Sequence, residues 1–373
     1  MRVLVAVDSF KGSLSSLEVG KAVKEGIKNL CDEVIVKPIA DGGEGSVEAL
    51  ADALGGTYVD AIVQNPLGEK IPARYALAGD LGILEMASAS GLTLVEPNRR
   101  NPMKTSTYGF GQMILHAIHK GARKFIIGIG GSATNDAGTG MLSALGYEFY
   151  DEDSNLLEGI GENLIKITRI SESNVLPELK ECEFLIACDV DNPLFGKNGA
   201  AYIYGPQKGA NEQMVKELDA GLISFASATS EYFSSEFWNF KGAGAAGGLG
   251  FGFVSYLNAK LKSGIDIITE EIRLEDEIKK ADLVITGEGR MDYQSAMGKT
   301  PIGVAKIAKK HNKPVIAIAG CVKEEARNCN QKGIDAFFSI LNEPMTLNEA
   351  MDENTTRENI RRVCEQVIRL YKL

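Results

Sequence analysis

The opening residues narrow what this chain can fold into. Arg2–Val7 (RVLVAV) reads as a buried strand, and the polar loop Asp8–Leu14 (DSFKGSL) follows it. Ser15 and Glu18 then stand at capping-box spacing, with Val19, Ala22, Val23, Ile27 and Leu30 at helical intervals behind them. Strand, polar loop, helix is the repeating unit of a parallel sheet, whose ligand loops lie at the strands' carboxyl ends. The rhythm continues: Val34–Pro38 predicts a strand running into Asp41-Gly42-Gly43-Glu44-Gly45 and a helix through Leu54. It returns near the C-terminus, with strands expected at Asp282–Thr286, Pro314–Ala319 and Ala336–Ser339. Helices are expected at Ile302–Lys309, Glu324–Asn330 and Thr355–Leu373, the last with Ile360, Val363, Val367 and Leu370 on one face.

The middle of the chain has a different pattern. Thr57–Val63, Lys70–Leu77 and Gly82–Met86 are short runs close together, which predicts hairpins and a mixed sheet. Phe125–Ile129 and Phe184–Cys188 read as strands, and Ala210–Ser227 and Ala246–Leu261 as helices. A chain of 373 residues exceeds one ordinary core. The expected fold is therefore α/β with two domains. Residues 1–64 plus 281–373 would form a discontinuous Rossmann-like parallel-sheet domain, and 65–280 an inserted mixed α/β domain.

Net charge is −10 with no basic run, which argues against nucleic acid as a partner. A small anionic substrate would need a few locally placed cations. The six cysteines include no C-x-x-C pair, so reduced, mostly buried thiols and a cytoplasmic setting are expected. The apolar run Val3–Val7 is too short for a targeting core or a membrane span.

Polar loops recur after the predicted strands. Asp8-Ser9-Phe10-Lys11-Gly12-Ser13 sets a lysine among small residues, where a polyphosphate or carboxylate can approach closely. Asp41 and Glu44 can hold Mg²⁺ or cap the following helix against its dipole. Gly130-Gly131-Ser132-Ala133-Thr134-Asn135-Asp136 is the strongest phosphate-binding signal, because small residues let backbone N–H groups converge on oxygens. Gly128-x-Gly130-x-x-Ala133 within it also matches a loose dinucleotide fingerprint, with Glu148 downstream. Asp189 and Asp191 flank one residue at a strand exit, as a base or metal ligand would, or as part of an Asn-Pro turn. Gly205–Gly209 offers Lys208 in a tight loop, and Gly242–Gly250 is read as a ligand-facing loop in preference to a close helix contact. Glu288, Arg290, Asp292 and Lys299 form a dense charged group behind the strand DLVIT. Gly298-Lys299-Thr300 mimics the end of a P-loop, but Tyr293 stands where its first glycine must be. The three histidines are not spaced for a metal site.

Together these loops resemble the glycerate kinase family of bacteria, of the type that forms 2-phosphoglycerate. The motifs are DSFKGSLSS, PIADGGEGS, GIGGSATNDAGTG, CDVDNPLFGKNGAA with YGPQKGA, GAAGGLG and ITGEGRMDYQSAMGKTPIGVA, in the family's order over nearly the whole chain. The resemblance implies two α/β domains, one inserted in the other, with the active site in the cleft between them. It implies ATP and Mg²⁺ as cofactors and D-glycerate as the small-molecule substrate, with no nucleic-acid or membrane partner and homodimerisation left open. Asp189 would be the base for the C2 hydroxyl, assisted by Asp191. Lys11 and Lys299 would offset charge on the transferring phosphoryl group, and Asp8, Asp41 and Glu44 are candidates for Mg²⁺. Gly131–Asp136 would bind ATP phosphates. Arg290 would pair with the substrate carboxylate beside Glu288 and Asp292. Alternatives are a kinase forming 3-phosphoglycerate, a dinucleotide-dependent oxidoreductase resting on the Gly128–Ala133 match, and a non-catalytic sugar-acid sensor.

Overall fold

The structure, a computed structural model, describes residues 1–40, 45–234, 238–293 and 295–373. The chain divides into two compact units, Met1–Gly55 with Gly264–Leu373, and Gly56–Ser263.

The first unit is built on a five-stranded sheet, all parallel. Its order is Ala336–Ser339, Val315–Val322, Leu283–Met291, Arg2–Val7, Glu33–Val36. The capping box is present: the Ser15 hydroxyl accepts from the Glu18 N–H, and the Glu18 carboxylate accepts from the Ser15 N–H. It starts the helix Ser16–Ile27, whose Val19, Val23 and Ile27 share a core with Ile360, Cys364 and Ile368 of the closing helix Glu353–Tyr371. These two helices meet at Gly26, where an added Cβ would lie 2.6 Å from the Arg361 carbonyl oxygen. The amphipathic stripes seen in the sequence are thus two halves of one layer over the sheet.

The unit boundary lies before the expected residue 65 because of strand pairing. Thr57–Gln64 pairs antiparallel with Lys70–Ala78, so it is the first arm of a hairpin in the second sheet. At the other end, the helices Gly264–Glu271 and Leu274–Lys280 fall in the first unit, not in the expected 65–280 insert. Ile265 packs against Gly303 of the helix Thr300–Lys310, and Arg2 bonds Glu277 at 2.7 Å.

The second unit has a six-stranded mixed sheet in the order Lys260–Lys262, Glu183–Ala187, Lys124–Gly128, Leu81–Glu85, Lys70–Ala78, Thr57–Gln64. The first four run parallel and the last two form the hairpin arms. Glu148–Tyr150 and Arg169–Ser171 make a separate two-stranded ribbon. Aromatic side chains fill much of the core, with Phe125 stacked on Phe184 at 4.9 Å and Phe225 on Tyr256 at 6.0 Å.

The segment expected as one helix, Ala246–Leu261, is interrupted. Ala246, Gly247 and Gly248 take left-handed backbone angles at the start of Ala245–Leu257, and Lys260–Lys262 is an edge strand. A Cβ on Gly247 would lie 2.0 Å from the Thr134 carbonyl oxygen. The glycine run is therefore a close backbone contact, buried against residues 134–137, and not the ligand-facing loop its composition suggested. Of the six thiols only Cys329 and Cys364 are buried, and the other four are half-buried.

Candidate active site

In the first unit the chain leaves Arg2–Val7 toward Glu33–Val36 on one side and later returns to Leu283–Met291 on the other. This is a topological switch point, where the carboxyl ends of parallel strands open a crevice. A cavity of about 710 Å³ lies there. It is lined by Asp8 and Lys11 after the first strand, Glu288, Arg290 and Asp292 from the central one, and Lys299 ahead of the helix Thr300–Lys310. Phe10, Ile340, Leu341, Leu347 and Met351 add apolar lining.

The residues Gly287–Met291 were expected as a loop behind the strand. They continue the strand instead, with Arg290 opposite Cys321 and Met291 opposite Val322. Gly287 permits this, since a Cβ there would stand 2.2 Å from the Ile318 carbonyl oxygen. Strand geometry then explains the charged cluster: residues two apart share a face, which puts Glu288 and Arg290 on the same side.

Asp8 is buried and tied down. One oxygen accepts the Ser9 N–H at 2.7 Å, and the other accepts the Thr300 hydroxyl at 2.6 Å. This bond fixes the N-terminus of Thr300–Lys310, where Pro301 has no N–H and Ile302 and Gly303 donate to the Lys299 carbonyl, so the helix dipole is what favours an anion there. The Lys299-Thr300 pair that mimicked a P-loop thus does open a helix, but its hydroxyl is spent on Asp8. Glu288 is only 7% exposed, and its Oε1 has no hydrogen-bond partner among the described residues. Burial pushes its carboxyl up to about 7, helped by the charges of Asp8 and Asp292 and opposed by a Ser295 hydrogen bond and the Lys299 charge. Arg290 is exposed, with Asp292 3.5 Å from its Nε.

The second unit holds the glycine loop. Gly130 and Gly131 are exposed, and the N–H groups of Gly130, Gly131 and Ser132 have no acceptor among the described residues. The residues that follow are buried, and much of their backbone is pinned. The Gly131 carbonyl accepts from Leu92 N–H at 2.8 Å, Ala133 N–H donates to Ser90, and the Thr105 hydroxyl donates to the Ala133 carbonyl. Lys208 donates to Ser132 Oγ and to the Thr134 carbonyl, both at 2.6 Å. Asp136 is fully buried and accepts the Thr107 N–H and hydroxyl at 2.8 and 2.7 Å, plus the Gly138 and Gly140 N–H groups, both at 3.3 Å.

These contacts revise the part assigned to side chains of Gly131–Asp136. Thr134, Asn135 and Asp136 are 0% exposed, and Asp136 organises the loop from within. The part of the loop that lies at the surface is the backbone at Gly130 and Gly131. The dinucleotide fingerprint is not realised either: no helix begins until Thr139, and Ser132 bridges to Gly91. Asp189 and Asp191 lie beyond Glu183–Ala187 and are both exposed, with Asp191 held by Lys241 at 2.8 Å. Asp41 and Glu44 lie outside the described residues. Thr105 and Thr107, which shape the loop, were not among the sequence candidates, whereas Lys208 was read there as a cation in a tight loop. The hydroxyl run Thr105-Ser106-Thr107 just before a helix was the available signal.

A parallel sheet with acids, cations and a helix N-terminus gathered at its switch point defines an α/β enzyme built for a small anionic substrate. The glycerate kinase family model matches residues 3–372. The chain is 45% identical to the glycerate kinase of Haemophilus influenzae, covering 97% of this chain and 98% of that protein. It is 47% identical to the glycerate 2-kinase of Escherichia coli, covering 94% and 93%. A crystal structure described as a putative glycerate kinase 2 from Salmonella typhimurium superposes with a TM-score of 0.92 at 42% identity, covering 100% of this chain and 98% of that one. The chain belongs to the glycerate kinase family and is an enzyme, a phosphotransferase with an alcohol group as acceptor. Among the described residues no helix is long and apolar enough to cross a membrane.

Proposed function

We propose that the protein transfers the γ-phosphoryl group of ATP to the C2 hydroxyl of D-glycerate, giving 2-phosphoglycerate and ADP. The observation that carries this is the buried Glu288, with one oxygen unpartnered among the described residues and Arg290 on its own strand face, in a cavity of about 710 Å³. That volume exceeds what a three-carbon acid needs and sits within the usual range for small-molecule sites. The name of the Escherichia coli relative supports the choice of the 2-hydroxyl.

Arg290 pairs with the substrate carboxylate, which suits a planar fork. Glu288 takes the hydroxyl proton: burial holds its pKa near neutrality, where a general base works best. Lys11, Lys299 and the helix N-terminus at Thr300 offset charge on the transferring phosphoryl group, and Asp8 holds that helix end in place. The backbone N–H groups of Gly130–Ser132 bind phosphate oxygens of the nucleotide. Among the described residues no three His, Cys, Asp or Glu side chains group to hold a metal ion. Asp41 and Glu44 would hold Mg²⁺ as the companion of a bound polyphosphate. Mg²⁺ there would neutralise charge on the phosphates.

The test is turnover with ATP and D-glycerate, with the product read by proton-coupled phosphorus NMR. Phosphate on C2 couples to one proton and gives a doublet, and phosphate on C3 couples to two and gives a triplet. A triplet would overturn the regiochemistry, and no ADP release would overturn the reaction. Glu288→Gln is expected to lower kcat roughly 10²–10⁴-fold, the usual size of a lost base. Asp189→Asn, exposed at its strand exit, is expected to lose far less. The reverse ranking would return the base to Asp189.

A further inference from the structure

Lys208 lies outside the cavity of the first unit, yet it is only 2% exposed. A short 3-10 turn, Pro206–Lys208, delivers it. The following Gly209 has φ +98°, and a Cβ there would lie 2.4 Å from the Arg100 carbonyl oxygen, so the turn is seated against the backbone. Its ammonium reaches two neutral acceptors, Ser132 Oγ and the Thr134 carbonyl. Asp136 acts on it electrostatically, and Arg100 borders its turn through backbone and Cβ atoms. The Asp136 oxygens already serve Thr107, Gly138 and Gly140. Arg100 turns its Nε to the Val95 carbonyl. No carboxylate among the described residues forms an ion pair with Lys208. A buried cation without an ion partner is costly unless an anion comes close.

Just before Ser132 in the chain are the exposed Gly130 and Gly131, and the N–H groups of all three have no acceptor among the described residues. We propose that Lys208 is the buried positioning cation of this loop: it fixes Ser132 and Thr134 so that the Gly130–Ser132 N–H groups face a phosphate, and its charge lies beneath the anion they receive. The inference rests on the loop binding the nucleotide's phosphates, as read above.

A consequence separates this role from simple packing. Burial lowers the Lys208 pKa from 10.5 to about 7, so at pH 8 the free protein holds it mostly neutral. A bound phosphate stabilises the charged form, so nucleotide binding should draw in a proton. MgADP is fully ionised at pH 8 and would not supply that signal itself.

The experiment is calorimetric titration with MgADP at pH 8 in two buffers of different ionisation enthalpy. Wild type and Glu288→Gln are expected to take up a substantial fraction of one proton per ADP, and Lys208→Met none. Lys208→Met should also raise the ATP KM about tenfold or more while leaving the glycerate KM within about twofold. No uptake by wild type, uptake that persists in Lys208→Met, or uptake lost in Glu288→Gln would each overturn the inference. The wild-type and Glu288→Gln titrations decide it even if Lys208→Met fails to fold. Gly130→Asp tests the underlying reading separately, because a Cβ at Gly130 meets nothing within 4 Å and the new carboxylate would repel phosphate. Unchanged MgADP affinity in that variant removes the loop as a phosphate site. Weakened affinity without Lys208-dependent uptake removes the Lys208 role alone.

Discussion

Asp136 offers the sharpest check on how the glycine loop is held. Replacing it with Asn keeps the shape and one acceptor oxygen. That oxygen can serve the Thr107 N–H, the Thr107 hydroxyl and the Gly140 N–H, which all meet Oδ2. The new amide nitrogen then faces the Gly138 N–H, donor against donor. Hydrogen bonds to a charged group contribute about 1.5–3 kcal/mol, against about 0.5–1.5 for neutral ones, so three bonds weaken by about 1 kcal/mol each and a fourth is lost. Against this, the variant no longer buries a charge, and burial already pushes the Asp136 carboxyl above its ordinary pKa. The net expected loss is about 2–4 kcal/mol, and Asp136→Ala, which orphans all four donors, should lose more. The chain's one tryptophan, Trp238, packs 5.3 Å from Phe195 against the core of the second unit. Its fluorescence in urea therefore reports this unit, and the loss should appear as a lower midpoint at unchanged slope. A loss below about 1 kcal/mol, or full stability with only the ATP KM raised, would refute the reasoning. Asp136 would then be a ligand contact and not the loop's internal anchor.

Thr300→Val removes the donor to buried Asp8 at nearly constant volume. It should destabilise by about 1.5–3 kcal/mol, the range for a bond to a charged group, with Thr300→Ser restoring most of the melting temperature. Glu288 predicts a pH effect on folding. Its folded pKa of about 7 lies above the ordinary 4.5, so between those values the folded state holds the extra proton. Its contribution is present below about 4.5 and lost as pH rises through about 7. The urea midpoint of wild type relative to Glu288→Gln should therefore fall between pH 5 and pH 8, and a constant difference would contradict the burial of this group. If Glu288 is also the base, kcat/KM should rise with pH through about 7, and this rise should vanish in Glu288→Gln.

Much of the first unit was legible because its signals are local. A capping box, a 3.6-residue stripe and a short apolar run each say what a segment does without reference to distant chain, and Ser15–Glu18 and Ile360–Val367 behaved accordingly. The strand Thr57–Gln64 was also visible, but the unit it joins depends on its partner. Its pairing with Lys70–Ala78 is a tertiary fact that no window of sequence contains. The same applies to Ala246–Gly248. Left-handed angles and a glycine packed on the Thr134 carbonyl are set by what lies opposite, and composition alone reads equally well as a ligand loop.

The candidate acids show where this limit bears on chemistry. Asp189 and Glu288 both follow an apolar strand, and by pattern Asp189 in its Asp-x-Asp turn looks the better base. Burial separates them. Glu288 lies inside a strand that continues past its glycines, so the sheet removes it from water and leaves one oxygen without a partner among the described residues. Asp189 lies past the end of its strand and is exposed. A pKa near neutrality needs desolvation, and desolvation follows from where a strand ends, which the glycines at 287 and 289 disguised as a loop. The same reasoning separates Asp136, buried and saturated with donors, from the exposed glycines a few residues before it. In both cases the residue types were visible in the sequence, and the side each one faces was decided by partners elsewhere in the chain.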